Sequence, residues 1–277
     1  MEATIPAAHQ GKSGPEIIVL DGLTKQFGHV LAVNQASFAV RPGEVFGLIG
    51  SNGAGKSTII KMLTTLLPPS SGAATVAGYN LYREPAQIRR HIGYVPQLLS
   101  ADGALTGYEN MLLSARLYAV PHRERSARIE EALAAFNLTH VAGRLAHHYS
   151  GGMVRSLEIA QNLLHRPGIL FMDEPTVGLD PVARRGVWEH VRELQRSTGM
   201  TILITTHYMQ EADELCERIA IINRGLIAAV GSPAELKAAV GPEATLDDVF
   251  AHYTGAAELE DGYATSRVER LSARQHG

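Results

Sequence analysis

The sequence predicts an α/β fold built on a parallel sheet with helices on both faces. Short apolar runs of strand length recur at VFGLIG, GILFM, TILITT and RIAII, and segments with helical periodicity separate them. Strands that alternate with helices of this length are typical of a parallel sheet. Between Gln97 and Tyr149 the periodicity is helical with no strand signal, which indicates a helical subdomain inserted into the α/β core.

The amino-terminal part begins with strands. Residues 1–15 are small and polar without periodicity, so we expect a flexible tail. EIIVL and SFAV indicate short strands, broken by Asp21-Gly22 and by the Arg-Pro-Gly-Glu turn. This Pro42-Gly43 turn leads into VFGLIG, whose continuous apolar run is typical of a buried strand. The following STIIKMLTTLL has helical spacing, and we expect Pro68 and Pro69 to end that helix. A strand at ATVAG, a helix and the strand HIGYV follow.

Helix boundaries in the second half carry local signals. A helix is predicted from Ser150, and a second from Asp180, an N-cap residue followed by proline, to Gly199. Ser232-Pro-Ala-Glu is a capping box that starts a further helix. The chain beyond about Gly255 is polar and is expected to fray.

Composition excludes several classes of protein. The chain has 277 residues, 45% hydrophobic and 19% charged, which is enough apolar material for a packed core. A net charge of −3 gives no basic field, so we predict no nucleic-acid partner. A single cysteine excludes an internal disulfide and fits a reducing compartment; we predict that Cys216 shares one buried helical face with Met209, Ala212 and Ile219. The apolar runs fall short of the roughly 20 residues that span a bilayer, and no secretory signal is expected at the start.

A phosphate-binding loop is predicted at GSNGAGKST, which matches G-x-x-x-x-G-K-[ST] between a buried strand and an amphipathic helix. Glycines let successive backbone N–H groups converge on phosphate oxygens, Lys56 bridges the β and γ oxygens, and Ser57 ligates Mg²⁺. The alternatives are a glycine-rich turn that matches by chance, or a dinucleotide fold, which Asn52 disfavours because its position requires glycine. The predicted nucleotide-binding residues of the loop are Gly50, Ser51, Asn52, Gly53, Ala54, Gly55, Lys56, Ser57 and Thr58.

Two acids end a second buried strand, ILFMDE. In a parallel sheet this strand end lies beside the phosphate loop, so Asp173 can hold Mg²⁺ and Glu174 can polarise an attacking water. The alternative is that both acids are simply solvated at the strand end.

The segment YSGGM at Tyr149–Met153, upstream of the acid pair, resembles the LSGGQ signature of ATP-binding-cassette (ABC) ATPases. The resemblance covers about residues 16–241. It extends to Gln97 as the Q-loop glutamine, Asp180 in VGLDP as the D-loop acid, His207 as the switch histidine, and Phe27 as the aromatic that stacks on adenine. Met153, Tyr149 and Phe27 depart from the usual Gln, Leu and Tyr.

The resemblance implies a P-loop NTPase (RecA-like) core with an antiparallel β subdomain and an inserted α-helical subdomain at about residues 98–160. It implies an ATPase domain over residues 16–241, followed by a short helix and a polar tail over residues 242–277. The resemblance implies that the catalytic residues are Lys56, Glu174 and His207, and that nucleotide is bound by Phe27, Val33 and the phosphate-binding loop. It implies that the signature acting in trans consists of Ser150, Gly151, Gly152 and Met153. The implied ligands of Mg²⁺ are Ser57, Gln97 and Asp173.

The resemblance also implies partners. Such ATPases pair head to tail on MgATP, as a homodimer or with a paired ABC subunit, and act with a separately encoded multi-span membrane permease at the cytoplasmic face of the membrane. TTLLPPSSG, EPTVGLDP and LDDVFAHYTG are most similar to the drug-resistance exporter branch, whose cargoes include drugs, lipids and polymers. Two alternatives remain: a cytosolic single-cassette ABC ATPase without a transporter, for example in cluster assembly, and a P-loop kinase, which the signature and His207 disfavour.

Overall fold

A computed structural model describes residues 16–255 of the protein, so the predicted tails at residues 1–15 and beyond Gly255 lie outside the described residues. Within this described range, ten strands form two sheets. The strands are β1 (Ile18–Phe27), β2 (Val30–Val40), β3 (Val45–Ile49), β4 (Ser71–Val76), β5 (Tyr79–Asn80), β6 (Ile92–Val95), β7 (Ile169–Asp173), β8 (Thr201–Thr206), β9 (Arg218–Asn223) and β10 (Leu226–Gly231).

Nine α-helices connect or flank these strands in residues 16–255. They are α1 (Lys56–Leu63), α2 (Pro85–His91), α3 (Gly107–Leu117), α4 (Arg125–Ala135), α5 (Gly151–Leu163), α6 (Pro181–Thr198), α7 (Met209–Leu215), α8 (Pro233–Val240) and α9 (Leu246–Thr254). Across the described part of the chain, no helix combines the length and apolar character needed to cross a membrane.

The six-stranded sheet has the order β10-β9-β3-β8-β7-β6 and is parallel except for the β9–β10 pair. The predicted α/β fold with a parallel sheet is therefore confirmed. Side chains alternate between the two faces of the sheet: Phe46 and Leu48 of β3 join one buried cluster, and Val45 and Ile49 join the other. The carboxyl ends of β3, β6, β7 and β8 lie at one edge, where open parallel sheets bind ligands.

The second sheet is antiparallel, with the order β2-β1-β4-β5. It packs over the face of the parallel sheet that carries α1. The sequence indicated short strands broken at Asp21-Gly22, but β1 runs through this dipeptide. The register shifts after Leu20 in one pairing and after Asp21 in the other, so the dipeptide forms an irregularity rather than a break.

Helices α3 and α4 lie between β6 and β7 in the chain, with no named strand between them, as the periodicity predicts. Helix α3 begins with a capping box in which Thr106 and Glu109 satisfy each other's main-chain N–H groups. Both helices contact α5, and their apolar residues join the buried cluster under α5 and α6. Domain boundaries at 16–241 and 98–160 stay a prediction.

Two local predictions were wrong. Helix α1 ends at Leu63, before Pro68, because Thr65 adopts φ +64 and the N–H groups of Leu66 and Leu67 both bond to the Lys61 carbonyl. Helix α7 ends at Leu215, so Cys216 lies outside the helix and Ile219 on β9, although both are buried.

The hairpin strand β10 was not predicted. It follows β9 through Arg224 and Gly225, at φ +47 and +83, as a two-residue type I′ turn requires.

Candidate functional site

The loop between β3 and α1 wraps around the side chain of Lys56, which is buried. Its ammonium group donates to the carbonyl oxygens of Gly50 at 2.7 Å and Ser51 at 3.0 Å. Gly55 has φ +113, and a Cβ there would lie 2.6 Å from the Ala32 carbonyl oxygen. Any other residue at position 55 would therefore force the loop away from β2. The lysine and the glycine together fix the curvature of the loop.

A pocket of about 260 Å³ lies above this loop. Its lining residues are Ala32, Asn52, Gly53, Gly55, Lys56, Ser57, Thr58, Gln97 and Glu174. The pocket therefore brings the phosphate motif together with one acid of the ILFMDE pair and with the glutamine that follows β6. Ala32 was not predicted, since an alanine in an alternating strand gives no signal of a ligand.

Glu174 is the centre of the charged network. Its Oε1 lies 3.0 Å from Lys56 Nζ, and its Oε2 lies 3.1 Å from Nδ1 of His207. Gln97 Nε2 approaches Oε2 at 3.5 Å. These side chains come from the ends of β6, β7 and β8 and the start of α1, so distant parts of the sequence meet at one carboxylate.

The backbone of Glu174 adopts φ +47, a left-handed conformation that is uncommon for residues other than glycine. The N–H group of Glu174 donates to the Thr205 hydroxyl at 2.9 Å and to the Thr205 carbonyl at 3.1 Å. Such strain persists where the surroundings fix it, and it clusters at functional sites. Here it directs the carboxylate towards Lys56.

Asp173 lies deeper than Glu174. Its Oδ1 accepts hydrogen bonds from the hydroxyls of Ser57 at 2.9 Å and Thr205 at 2.7 Å. Burial and the charge of Asp173 raise the pKa of Tyr94 to about 12, so this phenol stays neutral. A hydroxyl, a carboxylate and the amide of Gln97 at the pocket rim are the oxygen donors that Mg²⁺ prefers, so the residues present fit a magnesium ion.

The signature segment lies at the start of α5. Ser150 is the N-cap, and its hydroxyl accepts from the Met153 N–H at 3.3 Å. Ser150 and Gly151 are exposed. Ser150, Gly152 and Met153 line a different cavity from the phosphate loop, shared with residues of α6. Within one chain the structure therefore does not bring Ser150 to the Lys56 pocket.

Asp180 caps α6, as its position before Pro181 predicts. Its carboxylate accepts from the N–H groups of Val182 and Ala183, both at 2.9 Å. These two bonds, first that from Ala183, hold the pKa of Asp180 below its ordinary value. The acid of the D-loop segment is thus charged and exposed beside α6.

Two predicted nucleotide contacts lie away from the pocket wall. Phe27 is half exposed at the end of β1, with Lys25 Nζ 5.1 Å from the centre of its ring. Val33 is fully buried in the core beneath the loop, behind Gly55. The preceding residue, Ala32, is the one that reaches the pocket.

Two residues that hold the site in place were missed. Thr205 bonds to both Asp173 and Glu174, and the only signal is a threonine at the end of an apolar strand. Glu211 is fully buried and accepts from Thr176 at 2.8 Å and from the indole of Trp188 at 2.7 Å. Burial raises the pKa of Glu211. It links the segment after Glu174 to α6 and α7.

Comparison with known proteins identifies similar sequences. Residues 33–177 match the family model described as ABC transporter. The chain is 42% identical over 226 residues to the doxorubicin resistance ATP-binding protein DrrA of Mycobacterium tuberculosis, covering 81% of this chain and 68% of that protein. It is 40% identical over 260 residues to the daunorubicin/doxorubicin resistance ATP-binding protein DrrA of Streptomyces peucetius, covering 94% and 76%.

A further relative is longer. The chain is 39% identical over 245 residues to the probable multidrug ABC transporter ATP-binding protein YbhF of Escherichia coli, covering 87% of this chain and 42% of that protein. Among solved structures, one titled as the ATP binding subunit of an ABC transporter superposes with a TM-score of 0.75 at 31% identity, covering 86% of this chain and 99% of that one.

Proposed function

We propose, from the premise that the chain belongs to the ABC transporter family as an ATP-binding subunit with ATPase activity, that it hydrolyses MgATP between two head-to-tail subunits to power an exporter. One observation carries the proposal: groups from four separate segments meet at one pocket. Lys56, Gln97 and Glu174 line it. Asp173 and His207 contact two of the lining residues, Ser57 and Glu174. The steps below assign a role to each group.

Lys56 and the loop bind the phosphates in this proposal. The N–H groups around Gly53 and Gly55 and the start of α1 form an anion site, and Lys56 supplies a positive charge. The Lys56 ammonium is bonded to Glu174 at 3.0 Å, so a bound γ-phosphate competes with this carboxylate for the lysine. Nucleotide binding thereby releases Glu174 from its ion pair.

Glu174 then acts on water. Its carboxylate keeps its contact with His207, 3.1 Å away, which holds Oε2 at a fixed place while Oε1 is released. A positioned carboxylate can polarise a water for attack on phosphorus. Mg²⁺ held by Ser57, Asp173 and Gln97 would supply neutralisation of the phosphate charge.

The second subunit completes the site. Ser150 and Gly151 stand exposed at the amino-terminal end of α5, which carries a partial positive charge. They do not line the pocket of their own chain. A position facing the γ-phosphate of a partner copy accounts for both the partial positive charge and the exposure of this helix end. Met153 replaces the usual glutamine but leaves the Ser150 hydroxyl and the N–H group of Gly151 in place.

The surface for the membrane permease lies beside the Q-loop. Leu98 is 82% exposed and Leu117 is 77% exposed. A groove of about 340 Å³ separates α3 from the end of β6 and is lined partly by Leu113, Leu117 and Tyr118. Exposed apolar side chains around a groove suit an amphipathic helix of a partner. These observations support a position of the chain at the cytoplasmic face of a membrane.

The relatives' names indicate the cargo. Two proteins of 40–42% identity are named for resistance to doxorubicin or daunorubicin, and one of 39% identity is named as a probable multidrug ABC transporter protein. We therefore propose an amphipathic drug, lipid or related cargo. The second candidate function is a cytosolic ABC ATPase without a permease, and the exposed Leu98 and Leu117 argue against it.

Purification of the tagged chain from membranes tests the partner. Wild type is expected to recover one protein with several membrane spans. Leu98→Lys should lose that protein, whereas Leu66→Lys, at an exposed leucine after α1, should keep it. A wild-type chain that associates with no multi-span protein would favour the cytosolic candidate.

A further inference from the structure

A buried ion pair connects the signature helix to the Q-loop segment. Arg155 and Glu158 lie one turn apart on α5, their charged groups are 2.8 Å apart, and each side chain is 1% exposed. Neither residue lines the Lys56 pocket, and neither belongs to the site described above.

Arg155 holds the start of the segment that follows β6. Its guanidinium donates to the carbonyl oxygen of Pro96 at 2.7 Å and to that of Gln97 at 2.8 Å. A planar guanidinium presents five N–H donors in a rigid fork, so its two terminal nitrogens make both bonds and the ion pair at once. An ammonium is a compact charge without this fork and cannot reproduce the same arrangement of donors.

Glu158 holds the end of the same segment. Its Oε1 accepts from the Ser100 N–H, from the Ser100 hydroxyl at 3.1 Å and from the Ala101 N–H at 3.2 Å. Residues 96–101 are therefore attached to one helix at both ends. Between the attachments lie the exposed Leu98 and Leu99, and Gln97 itself is held through its carbonyl oxygen.

Stability alone is a weak reason for this pair. Burying two charges costs several kcal/mol per ion in desolvation, and apolar residues of similar size are often as stable. The Nε of Arg155 is buried and has no hydrogen-bond partner among residues 16–255, which adds to the cost. The bonds that the pair does make go to the backbone of one loop, so its effect is to fix where that loop lies.

We propose that Arg155 and Glu158 are positioning residues that fix Gln97 against Glu174 and make the Q-loop segment move as one body with Ser150. This rests on the proposed function, because it assigns a consequence to Gln97 and Ser150 within that reaction. A movement of the permease where it contacts Leu98 would then be transmitted through Arg155 and Glu158 to the start of α5.

Steady-state ATPase kinetics of the full chain test the proposal with Arg155→Lys and Glu158→Gln. Misplacing a catalytic group by about 1 Å costs up to roughly a hundredfold in rate. Each variant is expected to lower kcat about tenfold or more. The KM for ATP should stay within about twofold, since the phosphate loop is intact. An unchanged kcat, or a KM that rises as much as kcat falls, would overturn the proposal.

The double variant Arg155→Met/Glu158→Met separates positioning from stability. It removes both buried charges together, so its thermal unfolding midpoint should recover relative to the single variants Arg155→Met and Glu158→Met. Its kcat should stay as low as theirs, because Pro96, Gln97, Ser100 and Ala101 have lost their partners. Recovery of kcat together with the midpoint would show a merely structural pair.

Arg192→Lys is the matched control. Arg192 also donates to a main-chain carbonyl and a carboxylate, both of Glu214, but on the exposed side of α6. Its kcat should equal that of wild type. A wild-type chain without ATPase activity would refute the proposed function itself, whereas active wild type and control beside equally active Arg155 and Glu158 variants would refute only this inference.

Discussion

Lys56 Nζ lies 3.0 Å from Glu174 Oε1, and both side chains are buried. The group proposed to bind the γ-phosphate is thus paired with the group proposed to act on water. Because each charge neutralises the other, removing either one leaves its partner buried and uncompensated. The two residues can nevertheless be distinguished by experiment, since only Lys56 is proposed to bind nucleotide.

Lys56→Ala should abolish turnover. Lys56 is proposed to stabilise charge that develops on the γ-phosphate, and loss of such a contact costs on the order of a hundredfold to a thousandfold in kcat. Phosphate release from ATP measures this. Lys61→Ala, at an exposed lysine on the same helix, should retain wild-type activity. Near wild-type ATPase in Lys56→Ala would refute the phosphate-site assignment.

Thr205→Val should lower both stability and activity. The buried Thr205 hydroxyl donates to Asp173 and accepts from the Glu174 N–H, so the isosteric valine removes one hydrogen bond from each, at about 0.5–1.5 kcal/mol per bond. Asp173 keeps its bond from Ser57, and the Glu174 N–H keeps its bond to the Thr205 carbonyl. Denaturant unfolding and kcat measure the two effects. Thr201→Val, which loses the bond from the Gly43 N–H at the other end of β8, should cost stability without a comparable loss of kcat. Equal losses of kcat in both variants would contradict a role for Thr205 in holding the acids.

Glu211→Gln should change how stability depends on pH. Burial raises the pKa of Glu211 from its ordinary 4.5, so the folded protein holds this proton more tightly than the unfolded chain. Wild type therefore loses stability as pH rises from about 4.5 through the raised folded pKa, and Glu211→Gln lacks that loss. Thermal unfolding of both proteins across this pH range should show that the stability of Glu211→Gln relative to wild type increases as the pH rises. A difference that is constant with pH would contradict the assignment.

Ser150→Arg should block dimer closure without affecting nucleotide binding by the monomer. Ser150 is exposed outside its own chain's pocket, and a bulky cation there would obstruct an approaching subunit. Equilibrium binding of ATP should match wild type while ATPase activity is lost. Ser232→Arg, at the partly buried serine N-cap of α8, should keep both. Loss of nucleotide binding in the Ser150→Arg monomer would contradict a role across the interface.

The sequence predicted those features that depend on neighbours in the chain. The cap at Asp180, the helix end at Gly199 and the capping box at Ser232 are all local, and each is confirmed. The phosphate loop and the acid pair could be predicted because their residue types and spacing are themselves the signal, and their roles stay a prediction. The alternating strand β10 was missed because its apolar residues are mostly small or at exposed positions.

Features that depend on distant contacts could not be predicted. The hydrogen bond between Arg155 and the Gln97 carbonyl joins positions 58 residues apart, and the local sequence around either residue does not indicate it. The left-handed backbone of Glu174 is likewise fixed by Thr205, 31 residues later. Helix α1 ends at Leu63 through the conformation of Thr65, which overrides the apparent signal of the two prolines.

Glu174→Gln provides the most direct test of the central claim that two copies enclose the nucleotide. The amide keeps the size of the side chain but cannot polarise water as a carboxylate does, so ATP should be bound and not cleaved. Size-exclusion chromatography with light scattering at saturating MgATP is predicted to show a dimer that returns to monomer when nucleotide is removed. A variant that binds ATP yet remains monomeric at saturation would contradict the account.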